Sequence, residues 1–365
     1  LSVVGEVTKG EKQLEIAAHE LKAVSTFTDK LPIDMLGKTN TSFEKQLDWR
    51  YLQLRDEKHA FVFKIQTLLE HSFREFFIKN DFIEIHTPKI VGSASESGAE
   101  VFSIDYFGRV GYLAQSPQFY KQMAMSAGFD KVFEIAPAFR ADRAKTAVHA
   151  TEFTSIDVEL SWIEDHLEVM KLEEELIRYG LSKVKEIYGE EIKRIFDKEI
   201  VMPDSPIPII ALDEAIKIVI EMGHSDYHSL DGDLDKEAQK LICEYTLKEY
   251  GSEFAFIDKS PFASRAFYTM KCEDDPRLSK GFDLIWKGVE ITSGAKREHR
   301  YDKIKEQALE KGLKDIDFYL DFFKYGSVPH GGFAIGLARF LMIMLDLDSI
   351  KETTFIHRSI NKIKP

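Results

Sequence analysis

Apolar residues recur every three or four positions in several stretches of the chain, a spacing that predicts amphipathic helices. In residues 59–79 and 163–188 the large apolar side chains fall on one helical face, and charged residues cover the other. Further helices are predicted at 118–128, 213–222, 234–250, 302–311 and 337–347. Asp213 is expected to cap the helix that begins there.

Short apolar runs bounded by turn residues predict β-strands. Two strands at 1–7 and 14–18 flank a KGEK turn, and a third is predicted at 21–26. Others are predicted at 82–85, 101–106, 110–114, 132–140, 151–162, 203–212, 254–258, 267–272, 281–286, 289–293 and 332–336. Because strands and helices alternate irregularly, we expect a mixed, mainly antiparallel sheet rather than a doubly wound one.

The chain is expected to have three parts. Residues 1–26 hold only two or three strands, too few for a stable domain of their own. Residues 27–58 are polar and irregular and are interpreted as a hinge or linker. Residues 59–365 carry the regular helical and strand patterns and form the main domain.

Composition narrows the class of protein. The chain has 365 residues, of which 44% are hydrophobic and 30% charged, as in a globular protein. Its two cysteines, Cys243 and Cys272, are too few for a disulfide framework or a four-cysteine zinc site, which favours a reducing compartment. No apolar run reaches the roughly 18–20 residues of a membrane span. The net charge of −13 excludes a general basic coat for nucleic acid but leaves room for a local basic patch.

The first segment with candidate chemistry is FRAD at 139–142, followed by a polar loop with His149 and by Phe153 on the returning strand. Arg140 at a strand end can bind a phosphate, Phe153 can stack on a base, and Asp142 can accept from an exocyclic amine. An exposed hairpin with ordinary surface charges fits the same residues, and the sequence leaves both interpretations open.

Two acidic residues, Asp283 and Glu290, lie on neighbouring predicted strands. Carboxylates placed in this way can share Mg²⁺ with phosphate oxygens. A solvated pair flanking a turn is the alternative.

A third segment, HGGFAIGLAR at 330–339, is rich in glycine and ends in Arg339 within the first turn of a predicted helix. Its glycines either let a ligand approach the backbone or serve strand–helix packing alone.

These segments resemble the motifs of class II aminoacyl-tRNA synthetases. The FRAD and HGGFAIGLAR segments resemble motifs 2 and 3, and the strand at 82–85 with Pro88 resembles motif 1, whose proline lies at the family's dimer interface. The chain is most similar to aspartyl-tRNA synthetases of the archaeal and eukaryotic type. The matching stretches are LDWRYLQLRD at 47–56, LAQSPQFYKQM at 113–123, FEIAPAFRAD at 133–142, EFTSIDVE at 152–159, GVEITSGAKREHR at 288–300 and PHGGFAIGLAR at 329–339.

The resemblance implies a class II catalytic core, a mainly antiparallel sheet flanked by helices, behind a partial OB-fold barrel. Residues 1–26 would be the C-terminal remnant of that anticodon-binding barrel, so most of the barrel is expected to be absent from this sequence. The implied protein is a cytoplasmic homodimeric ligase without membrane contact. It would activate L-aspartate with ATP and Mg²⁺ and transfer it to tRNA(Asp), with tRNA(Asn) as a second candidate.

The resemblance also implies roles for particular residues, with Arg140 and Arg297 as the catalytic pair. The implied ATP-binding residues are Arg140, Asp142, His149, Phe153, Glu290 and Arg339. The implied aspartate-binding residues are Glu96, Gln118, Lys121, Asp157, Ser293 and Arg297. The implied Mg²⁺ ligands are Asp283, Glu290 and Ser293.

Two of these side chains, Lys121 and Arg297, are expected to converge on the side-chain carboxylate of aspartate. Asparagine would then leave a buried positive charge without its partner and would be rejected.

Some positions depart from the family pattern. Asp142 stands where Glu is usual, Val148 where Arg is common, and Ser97 where Gly is usual, and the C-terminal FIHRSINKIKP also differs. These departures bear on tRNA handling more than on adenylate formation.

Two other functions stay open at this stage. One is a paralogue that passes aspartyl-adenylate to ammonia and makes asparagine without tRNA. The other is a catalytically silent binding module, against which the presence of Arg140, Glu290, Arg297 and Arg339 argues.

Overall fold

A computed structural model describes residues 1–10, 14–26, 28–35, 41–96, 101–144, 146–203, 206–224, 234–313 and 316–364. Ser97, one of the departures noted above, lies outside these ranges. The chain divides into two units, Leu1–Gln53 and Leu54–Pro365.

The first unit contains an antiparallel hairpin of β1 (Ser2–Lys9) and β2 (Leu14–Lys22), then the short helices α1 (Phe43–Asp48) and α2 (Arg50–Gln53). The predicted strand at 21–26 is wrong, since its first two residues complete β2 and the rest form no strand.

The second unit begins with a 23-residue helix, and most of its other elements correspond to a predicted helix or strand. In chain order they are α3 (Glu57–Lys79), β3 (Ile83–Glu84), β4 (Ile90–Val91), β5 (Ser103–Tyr106), β6 (Arg109–Leu113), α4 (Gln118–Ser126), β7 (Lys131–Phe139), β8 (Glu152–Ser161), α5 (Leu167–Phe196), β9 (Ile209–Ala211), α6 (Leu212–Glu221), α7 (Lys236–Tyr250), β10 (Phe254–Asp258), β11 (Gly281–Trp286), β12 (Val289–Lys296), α8 (Tyr301–Glu310), α9 (Asp317–Lys324), β13 (His330–Gly336) and α10 (Leu337–Met344).

An eight-stranded sheet runs through this unit in the order β3-β7-β8-β13-β12-β11-β10-β9. Its five inner pairings are antiparallel, and the outermost pairs, β3 with β7 and β9 with β10, are parallel. The predicted mixed, mainly antiparallel sheet is therefore confirmed. β4, β6 and β5 form a separate three-stranded sheet.

One face of the large sheet is apolar and packs against helices. Ile156 and Val158 of β8 and Phe333 and Ile335 of β13 are fully buried, in one cluster with side chains of α3, α5 and α10. Successive side chains on a strand point to opposite faces, so the intervening residues of β8 must face the other side. That second face carries the polar residues discussed below.

Three predictions in this unit are wrong or incomplete, and two elements, β4 and α9, had no predicted counterpart. Residues 267–272 form no strand, only isolated bridges of Thr269 with Arg297 and of Lys271 with Ser279. Among the described residues of 203–212, only Ile209–Ala211 form a strand, since prolines interrupt what precedes them. Ala211 rather than Asp213 is the N-cap of α6.

Candidate active site

The polar face of the large sheet is assembled from four adjacent strands. On β8, strict alternation places Phe153, Ser155, Asp157 and Glu159 on the side opposite the apolar core. Ala334 of β13 lies opposite Asp157 in the pairing. The local sequence EFTSIDVE thus dictates which side chains enter the cleft.

The same register continues across β12 and β11. Ser293 pairs with Ala334 on one side and with Asp283 on the other, so both face the cleft. A β-bulge then changes the phase: Thr292 pairs with Leu284, and the next pair is Glu290 with Ile285. The extra residue brings Glu290, three positions before Ser293, onto the same face. The three residues implied as metal ligands therefore share one face.

A compact ionic cluster lies at the centre of the cleft. The Lys121 ammonium from α4 is 3.1 Å from Asp157 Oδ1 and 3.3 Å from Glu159 Oε2. Arg297 donates to Glu159 through Nε at 3.0 Å and to the Gly332 carbonyl through Nη2 at 2.9 Å. None of the four charged residues is more than 5% exposed.

Lys121 and Arg297 do converge, but in the structure they meet on a carboxylate of the chain itself, Glu159. Sequence reasoning missed Glu159, although its place in the alternation of β8 was a usable signal. Burial alone would raise the pKa of Glu159. The positive charges of Arg297 and Lys121 outweigh this effect, so the pKa of Glu159 lies below its ordinary value. The cluster thus combines two basic side chains, Lys121 and Arg297, with two acidic ones, Asp157 and Glu159.

A neutral hydrogen-bonded layer supports α4 beneath this cluster. His330 Nδ1 donates to the Val328 carbonyl at 2.7 Å, so its Nε2 accepts from Gln122 at 3.0 Å. The Gln122 oxygen accepts from Gln118 and from the Tyr319 hydroxyl, each at 2.9 Å. Burial lowers the pKa of His330 to about 4, which keeps the imidazole neutral at pH 7.

Glu96 approaches the cluster from the segment before β5. Its carboxylate accepts from the Ser116 hydroxyl at 2.5 Å and from the Tyr268 hydroxyl at 2.7 Å. The Arg297 guanidinium lies 5.5 Å from the centre of the Tyr268 ring. Tyr268 thus links Glu96 to Arg297, and sequence reasoning had not singled it out.

The other end of the cleft is a cavity of about 240 Å³ with both aromatic and cationic walls. Arg140 lies over the Phe153 ring, 5.4 Å from its centre. Arg339 donates to the Glu290 carbonyl at 2.7 Å. The lining includes Arg140, Asp142, His149, Phe153, Ser155, Glu290, Ser293 and Arg339.

Asp142 and His149 lie close together at the mouth of this cavity, with 3.7 Å between Asp142 Oδ2 and His149 Nε2. Burial lowers the pKa of His149, although Asp142 acts in the opposite direction. The structure therefore brings together all the residues that the resemblance implied for ATP.

Asp283 and Ser293 are joined by a residue that sequence reasoning missed, Arg265. Its guanidinium donates to Asp283 Oδ1 at 2.9 Å and to Ser293 Oγ at 2.8 Å. Within the described ranges, no group of three or more His, Cys, Asp or Glu side chains is arranged to hold a metal ion. Two carboxylates and a hydroxyl are nevertheless hard oxygen donors of the type that Mg²⁺ prefers when phosphates supply further ligands.

Two of the three glycines of HGGFAIG, Gly331 and Gly332, are required by packing inside the sheet. A Cβ on Gly332 would lie 2.0 Å from the Val158 carbonyl oxygen and 2.4 Å from Glu159 Oε2. A Cβ on Gly331 would lie 2.7 Å from Ile163 Cδ1. The absence of a side chain at Gly332 leaves room for Glu159, whose carboxylate binds both Lys121 and Arg297.

Solved structures that are similar to this chain include two tRNA synthetases. The chain is 31% identical to asparaginyl-tRNA synthetase from Pyrococcus horikoshii complexed with asparaginyl-adenylate, with a TM-score of 0.86 over 97% of this chain and 80% of that one. It is 32% identical to aspartyl-tRNA synthetase from Entamoeba histolytica, with a TM-score of 0.80 over 90% and 64%. Fold and cleft thus define an aminoacyl-tRNA synthetase of class II.

The chain belongs to the family of class II tRNA synthetases described as D, K and N, whose model matches residues 42–358. It is 43% identical over its whole length to the aspartate–tRNA(Asp) ligase of Pyrococcus abyssi and spans 83% of that protein. It is 38% identical to the aspartate–tRNA(Asp/Asn) ligase of Aeropyrum pernix, over 96% of this chain and 80% of that protein. No helix in the described part of the chain is long and apolar enough to cross a membrane.

Proposed function

We propose that this chain forms aspartyl-adenylate from L-aspartate and ATP and transfers the aspartyl group to the 3′ end of tRNA(Asp). The relatives named above support the reaction. The observation that carries the choice of amino acid is the meeting of Lys121 and Arg297 in the buried cleft, beside the cavity lined by Arg140 and Phe153.

On the nucleotide side, Phe153 stacks on adenine and Arg339 lies on its opposite face. Arg140 binds the α-phosphate, while Asp142 and His149 contact the base and phosphates at the mouth. The proximity of Arg140 to the Phe153 ring supports this assignment, since a base and its phosphate can then be bound at once.

On the amino-acid side, Lys121 and Arg297 bind the side-chain carboxylate of aspartate. Asp157, Gln118 and Ser293 complete the pocket, and Glu96 closes over it. The contacts of Glu96 with Ser116 and Tyr268 support this closing role, because they connect its segment to the turn before α4 and to the ring beside Arg297.

Asp283, Glu290 and Ser293 would hold Mg²⁺, whose charge offsets that of the ATP phosphates. Their common face, produced by the bulge in β12, supports this set.

The reaction needs no side-chain nucleophile. An oxygen of the aspartate α-carboxylate attacks the α-phosphorus, and the bond to pyrophosphate breaks. A hydroxyl of the terminal ribose of tRNA then attacks the acyl carbon, AMP leaves, and the hydroxyl proton is released. Arg140 stabilises the charge that develops on the phosphate, and the pocket orients the two reactants.

The wider assembly is part of the same proposal. The segment that carries Pro88 would form the interface of a homodimer, and the β1–β2 hairpin would belong to an OB-type anticodon domain. Cys243 and Cys272 are both free and buried, which suits a reducing compartment such as the cytoplasm. tRNA(Asn) is a second substrate to be tested, since relatives include ligases named for both tRNAs.

The test is ATP–pyrophosphate exchange with aspartate and with asparagine, followed by charging of tRNA(Asp) and tRNA(Asn) transcripts. We expect exchange with aspartate and charging of tRNA(Asp). Exchange without charging, together with asparagine formation from ammonia, would favour a tRNA-independent amide synthetase. Absence of exchange with a correctly folded chain would refute the proposed reaction.

A further inference from the structure

Arg265 holds the carboxylate that we assign to the metal. One terminal nitrogen donates to Asp283 Oδ1 and to Ser293 Oγ, and the other donates to Asp283 Oδ2 and to Ser260 Oγ. The Arg265 and Asp283 side chains are only 12% and 17% exposed. The four hydrogens of the two terminal nitrogens are therefore all engaged.

The two partners of this ion pair come from different kinds of structure. Asp283 and Ser293 are fixed on paired strands of the sheet. Arg265 follows a short 3₁₀ helix, Phe262–Ser264, and is anchored by a hydrogen bond from its backbone nitrogen to the Phe262 carbonyl at 3.1 Å. A change of partner would thus move the arginine rather than the aspartate.

Arg265 and Asp283 also line a second cavity, of about 180 Å³, with an apolar floor that includes Leu212 and Ile257. Glu290 lines both this cavity and the nucleotide cavity, so the two are adjacent. Of the described residues that line the second cavity, Arg265 is the single cation. A polyphosphate that extends from one cavity into the other would meet this guanidinium.

We infer that Arg265 is an internal cation that competes with the divalent metal for Asp283 and then binds the polyphosphate of ATP. The inference rests on the proposed function. A guanidinium that grips both oxygens of a carboxylate occupies their most favourable positions, and its charge repels a second cation.

The consequence is coupling between metal and nucleotide. Without nucleotide, Arg265 stays bound to the Asp283 carboxylate and thereby weakens metal binding at that carboxylate. When phosphate oxygens offer Arg265 another bidentate partner, Asp283 becomes available to the metal. Each ligand then strengthens the binding of the other, and by linkage the factor is the same in both directions.

The experiment measures Mn²⁺ binding to the whole chain by electron paramagnetic resonance, without nucleotide and with ATP. In Arg265→Met we expect Mn²⁺ without nucleotide to bind at least about tenfold more tightly, or about 1.4 kcal/mol. ATP without metal should bind at least about tenfold more weakly in a filter or calorimetric assay. Arg265→Lys keeps the positive charge but loses the two terminal nitrogens that bind both carboxylate oxygens. Its affinities should fall between those of wild type and Arg265→Met in both measurements.

Arg277→Met is the matched control. Arg277 also forms a salt bridge with one aspartate, Asp275. Its side chain, however, is 90% exposed and lines neither cavity. It should change neither affinity. The double variant Arg265→Met with Asp283→Asn should lose the gain in Mn²⁺ affinity, because the carboxylate at issue is gone.

Unchanged Mn²⁺ affinity in Arg265→Met and Arg265→Lys would overturn the inference, and so would a gain that survives Asp283→Asn. A different result would count against the proposed metal site itself: Mn²⁺ affinity in the presence of ATP that is unaffected by both Asp283→Asn and Glu290→Gln. The two failures are therefore distinguishable.

Discussion

Replacing Lys121 by methionine should remove the preference for aspartate over asparagine. Methionine fills similar space on α4 but carries no charge. The ammonium of Lys121 lies within 3.3 Å of Asp157 and Glu159 in a cluster shared with Arg297. The change therefore affects both the fold and the choice of amino acid, and the two effects must be separated.

The magnitudes follow from the burial of the cluster. Without Lys121, Asp157 loses its cation and Glu159 keeps only Arg297, and an uncompensated buried charge costs about 3–5 kcal/mol of stability. A charge pair about 4 Å apart is worth roughly 4 kcal/mol at an effective dielectric constant of about 20. Asp157 and Glu159 compete with the ligand for Lys121, so only part of this energy is available to bind aspartate. We therefore expect Lys121→Met to lose at least about 2 kcal/mol of transition-state stabilisation in aspartate activation, or roughly 30-fold in kcat/KM.

The assay compares pyrophosphate exchange for aspartate and asparagine, with unfolding in urea as the measure of stability. The double variant Lys121→Met with Asp157→Asn restores the charge balance, so stability should recover while the aspartate preference does not. Lys89→Met removes another lysine from a buried carboxylate, that of Glu134 at 2.9 Å. It should lower stability without changing the ratio.

An aspartate-to-asparagine ratio in Lys121→Met equal to that of wild type would refute the reasoning. So would a double variant that regains the ratio together with the stability, because Lys121 would then act only through the fold.

Three further changes test other parts of the structure. Glu290→Gln should lower pyrophosphate exchange at least about 100-fold, as loss of a charged metal ligand would, with an unchanged melting temperature; near-normal exchange would count against the metal assignment. Gly332→Ala should destabilise the chain in urea by about 1–3 kcal/mol, since the new Cβ would collide with Glu159, and wild-type stability would show that the sheet yields there. Burial raises the pKa of Glu173, which accepts from Thr292, to about 8, so the native state binds more protons than the unfolded state between about pH 4.5 and 8. Stability should fall as pH rises from 5 to 8 by on the order of 3 kcal/mol from this group, and a Glu173→Gln variant with the same pH dependence as wild type would contradict the shift.

Local patterns predicted those parts of the fold that local physics determines. The apolar spacing of α3 and the alternation along β8 each follow from one stretch of sequence, and the structure confirms both elements. The same alternation explains why Asp157 reaches the cleft. The length of β3, in contrast, is not determined locally. β3 has only two residues because only Ile83 and Glu84 pair with β7, a strand that lies far along the sequence.

The site features that sequence analysis missed depend on contacts between residues that are distant in the sequence. Glu159 looks like any acidic residue of a strand until Lys121 and Arg297 approach it from two other elements. Arg265 lies in a loop, where no periodicity indicates where a side chain points. The bulge that turns Glu290 into the cleft is likewise visible only in the pairing of β12 with β11.

Both ends of the cleft share one electrostatic feature: three of the cations that we assign to substrates are paired with a carboxylate of the chain itself. Lys121 and Arg297 lie on Asp157 and Glu159, and Arg265 lies on Asp283. Burying these cations without partners would cost several kcal/mol each, so the fold has to neutralise them before any substrate arrives. Substrate binding then becomes an exchange of partners, and its free energy is a difference between two ion-pair networks. Selectivity for aspartate therefore depends as much on how firmly Glu159 holds its two cations as on the positive charge of the pocket.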